Sequence, residues 1–171
     1  MEQIQESQPV LLTTADHALL TSRVVDHFCR QARTADVDLM IALAPHELVA
    51  RAWPAVNRTR LRFSDRDYCS CNLFAFMTPR SRAITSFWRK VESQRKQPWR
   101  VIGILGWWPV CKYLLGRLSL QEALARISNR LDMKIGVVIL PFPDAAVDVD
   151  SENDWRLVQQ ILAEKEKPRA T

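Results

Sequence analysis

The sequence is poor in glycine, with four in 171 residues, and this scarcity limits the sites that it can form. Loops that cradle phosphate with backbone N–H groups are rich in glycine, and neither G-x-x-x-x-G-K-[ST] nor G-x-G-x-x-G is present. There is also no G-x-S-x-G element, no evident cysteine–histidine pairing, and only three histidines in all. These absences argue against nucleophilic catalysis and leave little material for a phosphate-gripping loop.

Cysteine is also scarce, and its four positions indicate reduced thiols rather than disulfides. Cys69 and Cys71 form a C-x-C pair without the second pair or the nearby histidine that a zinc site needs. The N-terminal MEQIQESQP has neither the basic region nor the apolar region of a signal peptide. We therefore expect a cytoplasmic protein.

The stretch Trp99–Leu115 is rich in apolar residues, but we do not expect it to span a membrane. A spanning helix needs about 20 mostly apolar residues, and here Arg100, Pro109 and Lys112 interrupt the run. A buried hairpin and an exposed surface for a protein partner or a second copy of the chain both fit better. Interfacial membrane binding is a further open interpretation.

The net charge of +5 is unevenly distributed. Residues 80–100 carry seven basic side chains against the single acid Glu92, whereas residues 144–154 are acidic. A basic helix face can meet nucleotide phosphates, nucleic acid or anionic lipid, although most such faces are simply solvated. Because no nucleic-acid motif or aromatic platform accompanies the basic stretch, nucleic acid is the least favoured partner.

Apolar runs and helical periodicities alternate along the chain and predict an α/β domain with a mixed sheet. Residues 1–8 are expected to be disordered, residues 9–166 to form one domain and residues 167–171 to be a tail. Strands are predicted at 9–15, 37–44, 57–63, 68–77, 134–140 and 145–149. Helices are predicted at 20–35, 45–53, 78–96, 98–116, 119–131 and 152–166.

Asp16 is the first candidate functional residue. It follows the apolar run from Val10 to Ala15, which has the pattern of a buried parallel strand, and a helix begins soon after it. Open α/β sheets bind ligands at the carboxyl ends of their strands, where a carboxylate would suit a divalent cation. The equally favoured interpretation is that Asp16 only caps the following turn, and we expect His17 to be a turn residue.

Three further candidate residues, Asp148, Asp150 and Asn72, lie later in the sequence. Asp148 and Asp150 alternate along an extended segment, so both side chains would point to the same side and could meet one metal ion. The alternative is a pair of exposed acids, with Asp150 or Ser151 capping the last helix. Asn72 lies inside an apolar strand, where its amide must be hydrogen-bonded or must face a cleft.

Three segments together resemble the nucleotidyltransferases of the nucleotide-diphospho-sugar transferase superfamily, in particular its molybdenum-cofactor guanylyl- or cytidylyltransferase-like branch. They are TTADHALLT (13–21), YCSCNLFAF (68–76) and AAVDVDSENDWRLVQQIL (145–162). Asp16 occupies the position of the family's magnesium-binding aspartate, with Ala18 where proline is common. Asn72 matches a segment that lines the acceptor pocket, with Cys71 in place of glycine. Positions 148–155 match the family's closing D-[IV]-D-T-x-x-D-[LW] segment.

The resemblance implies a three-layer α/β sandwich with a mixed, mostly parallel sheet, incomplete at the N-terminus because no family-type glycine-rich loop precedes Val10. It implies magnesium-dependent transfer of a nucleotidyl group from a nucleoside triphosphate to a phosphorylated small-molecule acceptor, with release of pyrophosphate. Asp16, Asp148 and Asp150 would bind Mg²⁺, and Asn72 would orient the acceptor. The missing loop would impair this activity, and the alternative is a non-catalytic binding or interaction module on the same fold.

Overall fold

A computed structural model describes residues 8–56, 58–82 and 107–166. Its strands are β1 Val10–Thr13, β2 Leu39–Pro45, β3 Leu61–Arg62, β4 Asp67–Phe76 and β5 Ile135–Ile139. Its helices are α1 Ser22–Thr34, α2 His46–Ala52, α3 Pro79–Arg82, α4 Trp107–Leu114, α5 Leu120–Leu131 and α6 Glu152–Glu166, with a 3-10 helix at Pro143–Ala146. α3 and α4 fall within the helices predicted at 78–96 and 98–116, and residues 83–106 of those predictions lie outside the described residues.

The five described strands form one mixed sheet in the order β1-β4-β2-β5, with β3 also paired to β4. β4 is antiparallel to β1, β2 and β3, whereas β2 and β5 are parallel. Four of these strands therefore run in one direction and β4 alone runs against them. The expected mixed sheet is confirmed, but the expectation that it is mostly parallel is wrong for the described strands, because three of their four pairings are antiparallel and only β2–β5 is parallel.

β1 is not the buried parallel strand that its apolar sequence predicts. It lies at the end of the described strand order, paired antiparallel to β4. Val10 is buried, but Leu11 and Leu12 are 39% and 40% exposed. Because β1 runs in the same direction as β2 and β5, its carboxyl end still delivers Asp16 to the edge of the sheet where those strands end.

Apolar side chains cover both faces of the sheet, because successive residues of a strand point to opposite sides. On one face, Met40 and Ala42 of β2 belong to a core cluster with the fully buried Phe28 of α1. On the other face, Leu43 packs with Leu120 of α5. Burial of a side chain as large as Phe28 contributes about 1.5–3 kcal/mol to the free energy of unfolding. The sheet is therefore stabilised by packing against α1 on one face and α5 on the other.

The strand predicted at 145–149 is wrong. The chain instead forms the 3-10 helix Pro143–Ala146, with proline at a first-turn position, and the following residues belong to no described strand. The indole Nε1 of Trp53, next to the end of α2, donates to Asp144 Oδ1 at 3.0 Å. This contact holds the 3-10 helix against the end of α2 and so helps to position Asp148, which follows it in the chain.

A serine side chain caps each of the last two helices, and of the two candidate caps that the sequence offers for the last helix, Asp150 and Ser151, the structure shows Ser151. Ser119 Oγ accepts from the backbone N–H of Glu122 at 3.1 Å, and Ser151 Oγ accepts from that of Asp154 at 3.3 Å. The Glu122 carboxylate does not complete a capping box, because it accepts from Lys112 Nζ at 2.9 Å and from Arg126. Nowhere in the described ranges is a helix sufficiently long and hydrophobic to traverse a lipid bilayer.

Asp38, just before β2, connects that strand to the end of β4 and the start of β5. Its removal is expected to lower the free energy of unfolding by about 1.5–3 kcal/mol. Its carboxylate accepts from Lys134 N before β5 and from the Thr78 hydroxyl after β4, both at 2.8 Å. The Lys134 N–H is the main cause that lowers the pKa of Asp38 below its ordinary value. Stability from this group is therefore complete above about pH 3.9 and is lost as pH falls through the lower folded pKa. Urea unfolding of Asp38→Asn should show the deficit at pH 7 and a smaller one at pH 3.

Candidate active site

The candidate site lies in a gap along one edge of β4. β1 pairs with the Leu73–Phe76 part of β4, and β3 pairs with its Asp67–Tyr68 end. Because β2 occupies the opposite edge of β4, β1 and β3 share this edge and leave residues 69–72 between them. The segments that follow β1 and the 3-10 helix meet there, and Val149 N donates to the Asp16 carbonyl oxygen at 2.9 Å.

A bulge in β4 sets the position of Asn72. Ile41 pairs with Phe74 and Leu43 pairs with Ser70, so one residue of β2 faces three of β4. Asn72 has φ +45°, a left-handed conformation that asparagine tolerates better than most residues. Bulges of this kind redirect side chains near functional sites. Ser70 Oγ donates to Asn72 Oδ1 at 3.2 Å, which leaves Asn72 Nδ2 to donate to Asp148 Oδ2 at 2.6 Å.

Asp148 is buried in an ion pair with Arg58. The Arg58 guanidinium donates to Asp148 Oδ2, and the two side chains are 14% and 2% exposed. Burial raises the pKa of the Asp148 carboxyl, while the Arg58 charge acts in the opposite direction. Removing either charge would therefore leave the other in an unfavourable environment.

Asp16 and Asp148 each hold one carboxylate oxygen that is buried without a hydrogen-bond partner, Oδ1 in both residues. The two groups lie close enough for the Asp16 charge to raise the pKa of Asp148. Buried carboxylate oxygens are normally hydrogen-bonded or coordinated to a cation. Of the predicted site residues, the structure thus places Asn72 in hydrogen-bond contact with Asp148 and Asp16 near Asp148.

Asp150 lies outside this buried group. Its side chain is 74% exposed, and the Asp150 carboxylate is 4.0 Å from Arg58 Nη1. The prediction that Asp148 and Asp150 point to the same side assumed a strand at 145–149. Because these residues do not form a strand, the two side chains do not share one face of the sheet. Within the described ranges, no three His, Cys, Asp or Glu side chains are grouped as a metal site. A cation at Asp16 and Asp148 would thus take its other ligands from water and bound phosphate, as Mg²⁺ commonly does.

His17 and Arg58 are components of the site that the sequence does not reveal. His17, expected in a turn, is 6% exposed, and its Nδ1 is 3.3 Å from Thr13 Oγ1. Burial lowers the pKa of His17 and so favours the neutral ring. Arg58 belongs to the alternating NRTRLRF segment, in which nothing distinguishes it from Arg60 or Arg62. Its partner lies 90 residues away.

A cavity of about 610 Å³ lies at the opposite end of the sheet, beside the amino ends of β2 and β5. Its charged lining is already paired, Arg80 with Asp132 and Lys134 with Asp36. Arg80 belongs to the basic stretch 80–100, and its position beside this cavity places it away from Asp16 and Asp148. The cavity therefore serves as a comparison for the candidate site, because these charged side chains already have partners.

Asn72 provides a direct test of the bulge. Replacement by alanine is expected to cost about 1–2 kcal/mol more than replacement by glycine, because a Cβ is strained in the left-handed conformation. Both variants lose the hydrogen bond to Asp148, so the difference between their free energies of unfolding reports on the backbone conformation alone. Thermal and urea unfolding of the two proteins measure it. Equal stability, or a more stable alanine variant, would show that Asn72 does not hold this conformation.

Comparison with known proteins gives one informative match. No protein-family model and no curated protein matches the sequence. A solved structure, described as that of a hypothetical transferase from Thermus thermophilus, is similar with a TM-score of 0.77 and 32% sequence identity. The match covers 85% of this chain and 62% of that protein. This chain thus spans less than two thirds of its structural neighbour, with which it shares a mixed α/β fold.

Proposed function

We propose that this chain is a transferase, and specifically a nucleotidyltransferase of the nucleotide-diphospho-sugar transferase superfamily with a fold like its molybdenum-cofactor branch. It would transfer a nucleotidyl group from a nucleoside triphosphate to a phosphorylated acceptor and release pyrophosphate. The observation that carries the proposal is the pair of unpartnered, buried oxygens on Asp16 and Asp148. The similarity to a hypothetical transferase supports the broader assignment.

The two carboxylates fit magnesium because they present hard, anionic oxygens in a site partly shielded from water. When bound, magnesium would supply positive charge that offsets the negative charge developing on the phosphate groups. Asp148 is held in one orientation by two donors, Arg58 and Asn72, on its other oxygen. The protein therefore keeps Asp148 Oδ1 pointing away from those donors and available to a cation.

Asn72 has a second role in the proposal. Its amide nitrogen carries two hydrogens, and one of these donates to Asp148. The second N–H is free to donate to a phosphate oxygen of the acceptor. An acceptor oxygen would then form the new bond to the α-phosphorus, and the bond to the β-phosphate oxygen would break with release of pyrophosphate. Asn72 would thus link the orientation of the acceptor to the orientation of Asp148.

The sequence has no glycine-rich loop of the family type. Of the basic stretch 80–100, for which phosphate binding is one open interpretation, the structure describes the basic residues Arg80 and Arg82. Arg80 pairs with Asp132 and Arg82 donates to the Gln8 carbonyl oxygen, so both are engaged elsewhere.

Pyrophosphate release tests the proposal. The chain is incubated with each common nucleoside triphosphate, magnesium and a set of phosphorylated sugars and alcohols, and pyrophosphate is quantified. We expect magnesium-dependent release with at least one pair of substrates, lost in Asp148→Asn and retained in Asp150→Asn. Release that is equal in Asp148→Asn would contradict the site. Magnesium-dependent nucleotide binding without any release would instead identify a non-catalytic binding module.

A further inference from the structure

Helix α4 presents an apolar stripe to solvent. The stripe consists of Trp107, Trp108, Cys111, Leu114 and the adjoining Leu115, and its four large members are 75%, 67%, 77% and 69% exposed. The spacing i, i+1, i+4, i+7 and i+8 places all five side chains on one helix face. Leu115 continues the helical hydrogen bonding, because its N–H donates to the Cys111 carbonyl oxygen at 3.0 Å.

The opposite face of α4 attaches it to the domain. Pro109 is buried, and the Tyr113 ring lies edge-on to Phe63 with centroids 5.8 Å apart. The Tyr113 hydroxyl also accepts from Arg62 N at 3.2 Å. The helix is thus held to the domain through Pro109 and Tyr113 while its apolar stripe faces solvent, whereas an ordinary surface helix turns its apolar stripe toward the core.

The stripe is symmetric about Cys111. The two tryptophans lie four and three residues before it, and the two leucines lie three and four residues after it. If two such helices pack antiparallel with the Cys111 residues facing each other, each tryptophan pair meets the leucine pair of the other copy. Large rings then pack against smaller side chains across the whole contact.

We propose that this stripe joins two copies of the chain, antiparallel about a two-fold axis through Cys111. The tryptophans alone expose about 350 Å², taking about 250 Å² for each side chain. With the leucines, the stripe reaches the upper end of the largest apolar patches on monomers, about 300–600 Å². A contact of about 600 Å² per copy corresponds to the lower end of stable protein interfaces.

Charge also favours a second copy over anionic lipid. The stripe carries no charged side chain, and the basic residue within α4, Lys112, is paired to Glu122 at 2.9 Å. Glu122 also pairs with Arg126 at 2.8 Å. Interfacial helices that bind anionic membranes instead use unpaired basic side chains on their polar face.

Cys111 allows a test on the unaltered protein. Helices that pack 8–10 Å apart place facing Cα atoms about 5 Å apart, within the usual range of a disulfide. Cys111 is exposed, Cys29 is partly buried, and Cys69 and Cys71 are buried. Mild oxidation with copper phenanthroline should therefore link two copies in high yield, and Cys111→Ser should abolish the link.

Sedimentation equilibrium over a dilution series provides the second measurement. We expect a dimer for the unaltered chain and a monomer for Leu114→Glu, since two carboxylates would then be buried in each contact. Leu162→Glu is the matched control, because Leu162 is also an exposed helical leucine, 43% accessible, outside the stripe, and it should remain dimeric. Circular dichroism confirms that each variant is folded.

Three outcomes would overturn the proposal. The first is a chain that stays monomeric throughout the dilution series. The second is a dimer that survives Leu114→Glu or that crosslinks equally well after Cys111→Ser. The third is a monomer that floats with phosphatidylserine vesicles in a manner abolished by Leu114→Glu, which would assign the stripe to a lipid surface.

Discussion

Replacement of Arg58 by methionine is expected to lower the free energy of unfolding by about 3–5 kcal/mol, the usual cost of leaving one member of a buried ion pair without its partner. Arg58 and Asp148 are 14% and 2% exposed, so water does little to compensate the lost charge. Urea unfolding at neutral pH measures the effect. Methionine retains much of the aliphatic packing of arginine, so the measured loss reports mainly on the charge.

Arg60→Met is the matched control for this prediction. Arg60 also forms an ion pair, with Asp67, but the two side chains are 46% and 24% exposed. Such pairs contribute about 0–1 kcal/mol. Adding Asp148→Asn to Arg58→Met should recover part of the loss, because the buried carboxylate is then neutral. Equal losses at positions 58 and 60, or no recovery in the double variant, would contradict the buried pair.

Replacement of Asp16 by asparagine is expected to weaken magnesium-dependent binding of a nucleoside triphosphate by at least about 100-fold, the upper end of the effect of losing an outer-shell partner of a metal. Asparagine preserves the size of the side chain and removes its charge. The fold should remain, since Asp16 contacts Val149 through its backbone carbonyl oxygen, which the substitution leaves in place. Isothermal calorimetry with and without magnesium measures the affinity.

Asp150→Asn controls for the general loss of one negative charge. Asp150 lies in the same acidic segment as Asp148 but is 74% exposed, so its substitution should change the affinity by less than about threefold, in keeping with screening of exposed charges. If Asp16→Asn and the unaltered chain bind magnesium and nucleotide equally, the assignment of Asp16 fails. Binding that needs no magnesium in either protein has the same consequence.

Local patterns of the sequence predict most of the elements because their causes are local. The periodicity and serine cap that predict the last helix correspond to a helix over Glu152–Glu166, with Ser151 as the cap. Ser119 likewise marks the start of α5. The continuous apolar runs of β2 and β4 are sufficient to place those strands, since strands buried on both faces are apolar along most of their length.

The details of the candidate site depend on contacts between distant residues, which local patterns do not contain. Arg58 resembles its neighbours Arg60 and Arg62 until Asp148, 90 residues later, is folded against it. Asn72 is visible as a polar residue in an apolar strand, but its left-handed backbone depends on how β2 and β4 pair. The exposed edge position of β1 is likewise a property of the strand order, because VLLT alone has the composition of a buried strand.

The proposed function requires Asp16 and Asp148 to share one divalent cation, and paramagnetic broadening by Mn²⁺ tests this directly. With Mn²⁺ and a nucleoside triphosphate added in substoichiometric amounts, we expect selective loss of the NMR signals of residues 15–17 and 147–149 and of the Asn72 side-chain amide. Asp16→Asn should abolish the broadening. Broadening centred instead on Asp36 and Asp132, at the cavity beside the amino ends of β2 and β5, would contradict the site.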